Sequence, residues 1–154
     1  WRAASALGCS EYASPNVASA LRNAASDPNS DVRDSALRSL GWMPASGDNL
    51  GVLLAGLKDK DKGVRATAAE SLGQLKKGPP EVVSALVDSL QDKDKDVREN
   101  AADAIGELVP SAKPAIPALR AVWNNSKEDS FVRSAAGRSL GKLGEQVDWN
   151  AMKN

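Results

Sequence analysis

The chain has 154 residues, with 20 basic and 20 acidic side chains and no histidine. Zero net charge draws it neither to nucleic acid nor to an anionic membrane surface. The missing histidine removes Ser-His-Asp and Cys-His catalysis and histidine-bearing zinc sites.

Aromatic residues make up 4% of the chain, while alanine and serine are plentiful. That composition suits helices packed closely through small side chains and argues against a large aromatic-lined pocket. The longest apolar runs are only a few residues, so nothing spans a bilayer. One cysteine, Cys9, excludes an internal disulfide framework and favours a reducing, cytoplasmic setting. The sequence starts at Trp1 rather than methionine, so it reads as a fragment or a processed form, with a removed targeting signal left open.

In chain order, residues 1–10 read as half a repeat, and 15–43, 47–76, 79–109 and 112–143 as four helix pairs. Residues 144–154 are a C-terminal cap or the start of a further repeat. Each pair opens with an amphipathic helix. Its apolar stripe is Ala18, Leu21 and Ala25 in the first pair, the weakest of the four. The second has Leu50, Leu53, Leu54 and Leu57, the third Val83, Leu86, Val87 and Leu90, and the fourth Ile116, Leu119, Val122 and Trp123. Pro15, Pro79, Pro80 and Pro114 fall near the starts of these helices, where a missing N–H costs little. Gly51 and Gly56 weaken the helix around 48–58 by roughly 1 kcal/mol each against alanine.

The second helices share one frame: "DVRDSALRSLG" (31–41), "GVRATAAESLG" (63–73), "DVRENAADAIG" (96–106) and "FVRSAAGRSLG" (131–141). "WRAASALG" at the start fits it with Ala3 and Gly8, which places its Val-Arg before residue 1, so Arg2 is not the repeat arginine. Gly8, Gly41, Gly73, Gly106 and Gly141 thus recur about every 33 residues, the mark of a solenoid. The alanine, as in Val64, Ala68, Leu72 and Leu75, is expected where two backbones approach. The glycine is expected to end the helix or tighten its last turn. Met43, Leu75, Leu108 and Leu143, two residues on, are expected in the core.

Four residues ahead of Arg33, Arg65, Arg98 and Arg133 stand Asn29, Asp61, Asp94 and Asp129, all good N-caps. Each arginine then sits at the positive end of a helix dipole, which calls for a nearby anion. Asp27, Asp59 and Asp92, six residues upstream, are the natural partners, and the last unit has Lys127 there instead. "DKDKDVR" (92–98) also resembles the opening of a calcium loop, but its sixth residue is Val97 and its twelfth Asp103, where such a loop needs glycine and glutamate. No metal and no cofactor are expected.

The pattern D-x-x-V-R-x-x-A-x-x-x-L-G on paired helices resembles the HEAT-repeat superfamily, in particular the short bacterial-type repeat of phycobilin lyases. Tetratricopeptide repeats lack support because their aromatic positions are missing, and an armadillo unit needs a third helix. The resemblance implies an all-α, right-handed α-solenoid whose second helices line a concave groove. It also implies an Asp–Arg ladder linking neighbouring repeats.

Two positions per unit are then expected in the groove. The first row is Arg38, Glu70, Asp103 and Arg138, and the second is Trp42, Gln74, Glu107 and Lys142. Such a groove is acidic in the middle and basic at both ends. Trp42 either folds back against Pro44 and its loop or stands as an exposed anchor beside Arg38. Trp149 within "DWNAM" is expected to cap the array, and Trp1 to be left exposed. "NNSKEDS", two residues longer than its sister turns, reads as a recognition loop or as simple loop variation. Cys9 is a spare thiol or a reactive, bilin-handling one.

No residue set makes an active site, and phosphate-binding glycine loops are absent. The sequence therefore reads as a monomeric, non-catalytic scaffold for a protein or peptide. The alternative is a phycobilin lyase-like tetrapyrrole handler using Arg38 and Trp42, which rests on family analogy. A HEAT-like DNA glycosylase is disfavoured by the charge balance.

Overall fold

The computed structural model describes residues 15–43 and 47–152. The half repeat of residues 1–10, with Trp1 and Cys9, and Pro44 lie outside the described residues.

The order is α1 (Pro15–Ala24), α2 (Ser30–Gly41), α3 (Gly47–Gly56), α4 (Lys62–Gly73), α5 (Pro80–Ser89), α6 (Lys95–Glu107), a 3-10 turn (Lys113–Ala115), α7 (Ile116–Asn124), α8 (Ser130–Lys142) and a second 3-10 turn (Trp149–Met152). Among the described residues there is no strand. Each odd helix packs on the even helix that follows it. The even helices also stack on one another extensively, α2 on α4, α4 on α6 and α6 on α8, whereas successive odd helices barely touch. A two-row array held tightly along one row and loosely along the other curves toward the tight row. The even helices are therefore the inner row of an α-solenoid.

Local chemistry explains where the inner helices begin. Asn29, Asp61, Asp94 and Asp129 each accept a hydrogen bond from the backbone N–H two residues on, and Asp61 also takes that of Val64. Each such cap is worth about 1 kcal/mol. Pro80 stands at the first position of α5, where it removes no helical bond.

The core runs continuously from α2 to α8. It takes Leu53 from α3 and Leu57 from the turn after it, Val83, Leu86 and Leu90 from α5 and its C-cap, and Leu119, Val122 and Trp123 from α7. Leu50, Leu54, Val87 and Ile116 are only partly buried at its edge. With alanines on its stripe, α1 buries no residue fully. Leu108 and Leu143 are buried after their glycines, while Met43 and Leu75 are partly buried.

The repeat glycines do more than the expected conformational work. Gly41 and Gly73 do end their helices, but Gly106 and Gly141 lie inside theirs, and the only positive-φ glycine among the described residues is Gly144. Gly41, Gly73 and Gly106 have a steric role, whereas a Cβ on Gly141 would meet nothing within 4 Å. A Cβ on Gly41 would lie 2.7 Å from Cβ of Ser71, one on Gly73 2.8 Å from Cα of Ala104, and one on Gly106 2.7 Å from Cβ of Ser139. Each glycine lets an inner helix press against a small residue of the next inner helix. Gly56 likewise admits Leu37 and Ala68 within 2.7 and 2.9 Å of where its Cβ would be, while Gly51 faces open space.

Candidate functional site

Arg33, Arg65 and Arg98 leave the N-terminal end of their own helix and reach toward the following repeat. Arg33 donates from Nε and Nη2 to Asp59 at 2.8 and 2.7 Å. Arg65 does the same to Asp92 at 2.7 and 2.9 Å, and Arg98 to Glu128 at 3.0 and 2.6 Å. The carboxylate six residues upstream is not the partner. Arg33 instead bonds the backbone oxygens of Asp27 and Pro28, Arg65 those of Asp59 and Lys60, and Arg98 that of Asp92.

The reason is that each aspartate already faces two ways. Asp59 accepts the N–H of Asp61 through Oδ1, which fixes the turn and turns the carboxylate toward the preceding repeat. Asp27 and Asp92 accept from Asn29 and Asp94 in the same manner. These pairs are well shielded, with side-chain exposures of 6% and 15% for Arg33 and Asp59 and 7% and 14% for Arg65 and Asp92. The hydrogen bond from Arg33 holds the Asp59 carboxyl below the ordinary aspartate range. Burial pushes Asp92 up, but Arg65 and the Asp94 N–H outweigh it and lower it.

Arg133 closes the series differently, donating to the Trp123 carbonyl at 3.0 Å and lying over its ring. Sequence reasoning missed Glu128, because Lys127 holds the aspartate register in the longer "NNSKEDS" turn. Glutamate's extra methylene, one residue later, reaches the same place. The charge alone could have signalled it.

The inner row brings members of the two expected series together, with Glu70, Asp103 and Glu107 each tied to a base of a neighbouring repeat. Arg38 bonds Glu70 at 3.1 Å and also reaches Asp34 and Thr67, while the Thr67 hydroxyl donates to Asp34. Arg138 bonds both oxygens of Asp103 at 3.1 and 2.9 Å. Glu107 sits between Lys142 at 2.6 Å and Lys76 at 2.7 Å. Those two cations, Lys142 first, lower the Glu107 carboxyl from 4.5 to about 2. Asp34, Thr67 and Lys76 were not foreseen, because their cross-repeat contacts do not follow from position in the frame.

Two members of the second row depart from the polar pattern. Gln74 is half-buried, and its Oε1 is buried without a hydrogen-bond partner. Trp42, the C-cap of α2, is 77% exposed. Pro44 and its loop, against which the other alternative folds the ring, lie outside the described residues. At the other end of the array, Phe131 is exposed beside Lys95. Trp149 packs edge-on to Trp123 with ring centres 4.9 Å apart, and its ring closes over Gly137.

Chemically, this face is a neutral lattice of paired charges with one bare indole. Among the described residues no cluster of three potential metal ligands occurs, and no helix is long and apolar enough to cross a membrane.

Comparisons with known proteins agree with this architecture. A family model described as HEAT repeats matches residues 92–153, and one described as HEAT repeat matches 50–78. No curated protein matches the sequence. Among solved structures, an engineered protein superposes with a TM-score of 0.62 at 21% identity, over 88% of this chain and 66% of its own. Computationally designed armadillo repeat proteins for modular peptide recognition give 0.63 at 20% identity, over 83% and 65%. The complex of CpcE and CpcF of phycocyanin lyase from Nostoc sp. PCC7120 gives 0.55 at 20% identity, over 84% and 65%. The chain thus spans just under two thirds of these structures' own length, and at such identities the likeness concerns the fold.

Proposed function

The chain is a HEAT-repeat solenoid, and from that premise we propose that it is a non-catalytic scaffold whose inner face holds a segment of a protein partner. Trp42 is the observation that carries this reading. A 77% exposed indole stands where the other repeats have Gln74, Glu107 and Lys142, and tryptophan is among the residue types most enriched at binding hot spots.

The paired lattice of Arg38, Glu70, Asp103, Arg138, Glu107 and Lys142 supplies complementary polar contacts without a net field. That suits a peptide of mixed charge better than nucleic acid. The designed armadillo proteins of similar fold recognise peptides, which supports the class of ligand. The tetrapyrrole reading draws on the lyase among the structural neighbours. It is the weaker one, because Arg38 is already engaged by Glu70 and Asp34 and would have to surrender both to hold a propionate.

The test is selection of binding peptides from a random library, followed by titration against the parent chain and Trp42→Ala. Affinity should drop roughly tenfold, about 1.4 kcal/mol, in the variant, with the melting temperature unchanged. Unchanged affinity together with a lower melting temperature would make Trp42 a structural residue and overturn the reading. Colour co-eluting after incubation with bilin would favour the alternative.

A further inference from the structure

The outer face of α5 carries two carboxylates outside the ion-pair lattice of the inner face. Glu81 and Asp88 are both exposed, and neither joins an ion pair among the described residues. On the inner face, by contrast, Glu70, Asp103 and Glu107 are all paired. Seven residues of helix separate the two carboxylates, so they stand about 10 Å apart on one side of α5.

They border a cleft of about 390 Å³ between α3 and α5, which Leu54 and Leu57 also line. Lys58 stands in the same cleft, and Asp92 is committed to Arg65. With that pair counted as neutral, two free carboxylates against one cation leave a net charge of minus one. Ser84, exposed on the crest of α5, borders this cleft and also a second one. The second, about 470 Å³, lies between α5 and the turn leading into α7 and is lined by Pro80, Val83, Val87, Pro114 and Ala115. One helix therefore carries an apolar trough on one flank and an unsatisfied acidic edge on the other.

We propose that this outer face docks a basic amphipathic helix of a partner protein. One bulky apolar side chain enters the α5–α7 trough, and two lysines or arginines placed two turns apart meet Glu81 and Asp88. Burial of the apolar anchor supplies most of the affinity, since exposed ion pairs contribute little each. The charges set register and select the sign of the partner. The site is separate from the inner face, so neither proposal depends on the other.

The test uses the full chain and two fluorescein-labelled, alanine-rich helical peptides of about 14 residues. One carries lysines seven apart with a leucine between them, and the other has glutamates in place of the lysines. Fluorescence anisotropy should show binding of the lysine peptide only. Its affinity should fall roughly tenfold or more in Glu81→Lys/Asp88→Lys, rise in Lys58→Glu, and stay unchanged in Trp42→Ala. These substitutions are exposed, and circular dichroism checks that the variants fold. Equal binding of the glutamate peptide, absence of binding by the lysine peptide, or an affinity insensitive to the double reversal each overturns the proposal.

Discussion

The guanidinium of Arg65 lies against the carboxylate of Asp92 in the next repeat, joined to it by hydrogen bonds of 2.7 and 2.9 Å. Because both groups are shielded, loss of one leaves the other poorly solvated. Arg65→Gln should destabilise the chain by about 3 kcal/mol, read as a lower urea midpoint. Arg138→Gln breaks a pair whose side chains are 46% and 40% exposed and should cost under about 1 kcal/mol. Equal losses at the two sites would mean that the Arg65 pair is not a structural joint.

Glycine substitutions separate the two kinds of glycine in this fold. Gly73→Ala places a methyl group 2.8 Å from the Ala104 backbone and should cost about 1–3 kcal/mol through forced separation of α4 and α6. Gly51→Ala meets no neighbouring atom and should stabilise α3 by about 0.5–1 kcal/mol. Thermal melts of the two variants should therefore move in opposite directions.

Acid should weaken the array. Glu107 titrates at about 2 in the folded chain against an ordinary 4.5. A depressed carboxyl contributes its full stabilisation above the unfolded value, and that contribution disappears as pH falls from about 4.5 toward 2. Asp59, Asp92 and Glu128 are lowered as well and act with the same sign. Urea stability measured across this range should fall more steeply for the parent chain than for Glu107→Gln.

Calcium should leave the melting temperature unmoved, despite the alternating aspartates at 92, 94 and 96. Asp92 accepts the Asp94 N–H and bonds Arg65, while Asp94 accepts the Asp96 N–H and pairs with Lys62. A stabilising shift at millimolar calcium would show that the ion displaces these partners.

The repeat frame was legible because it is local. Apolar spacing, capping residues and the recurrence of Val-Arg, alanine and glycine all lie within one unit. What crosses between units was harder to read. Asp59 is six residues from Arg65 and 26 from Arg33, and proximity along the chain favours the wrong partner. The Asx turn at Asp59, whose carboxylate accepts the Asp61 N–H and so turns away from Arg65, decides between them. Gly73 shows the same limit: a glycine at a helix end reads as a stop signal, and its closeness to Ala104 depends on an interhelical distance that no single helix encodes. On the inner face, the positions of Arg38 and Glu70 followed from the frame, but their mutual pairing and the bare ring of Trp42 depend on how neighbouring repeats are rotated.

The glycine-to-small-residue contacts at Gly41, Gly73 and Gly106 couple each inner helix to its immediate successor. Stability in such an array is a sum over nearest neighbours, so loosening travels like the opening of a zipper. Among the described helices, α1 buries no residue fully, which makes it the first of them to part. Amide protection should climb from α1 toward α6, and a partner gripping Trp42 would brace α2, the helix on which α1 packs.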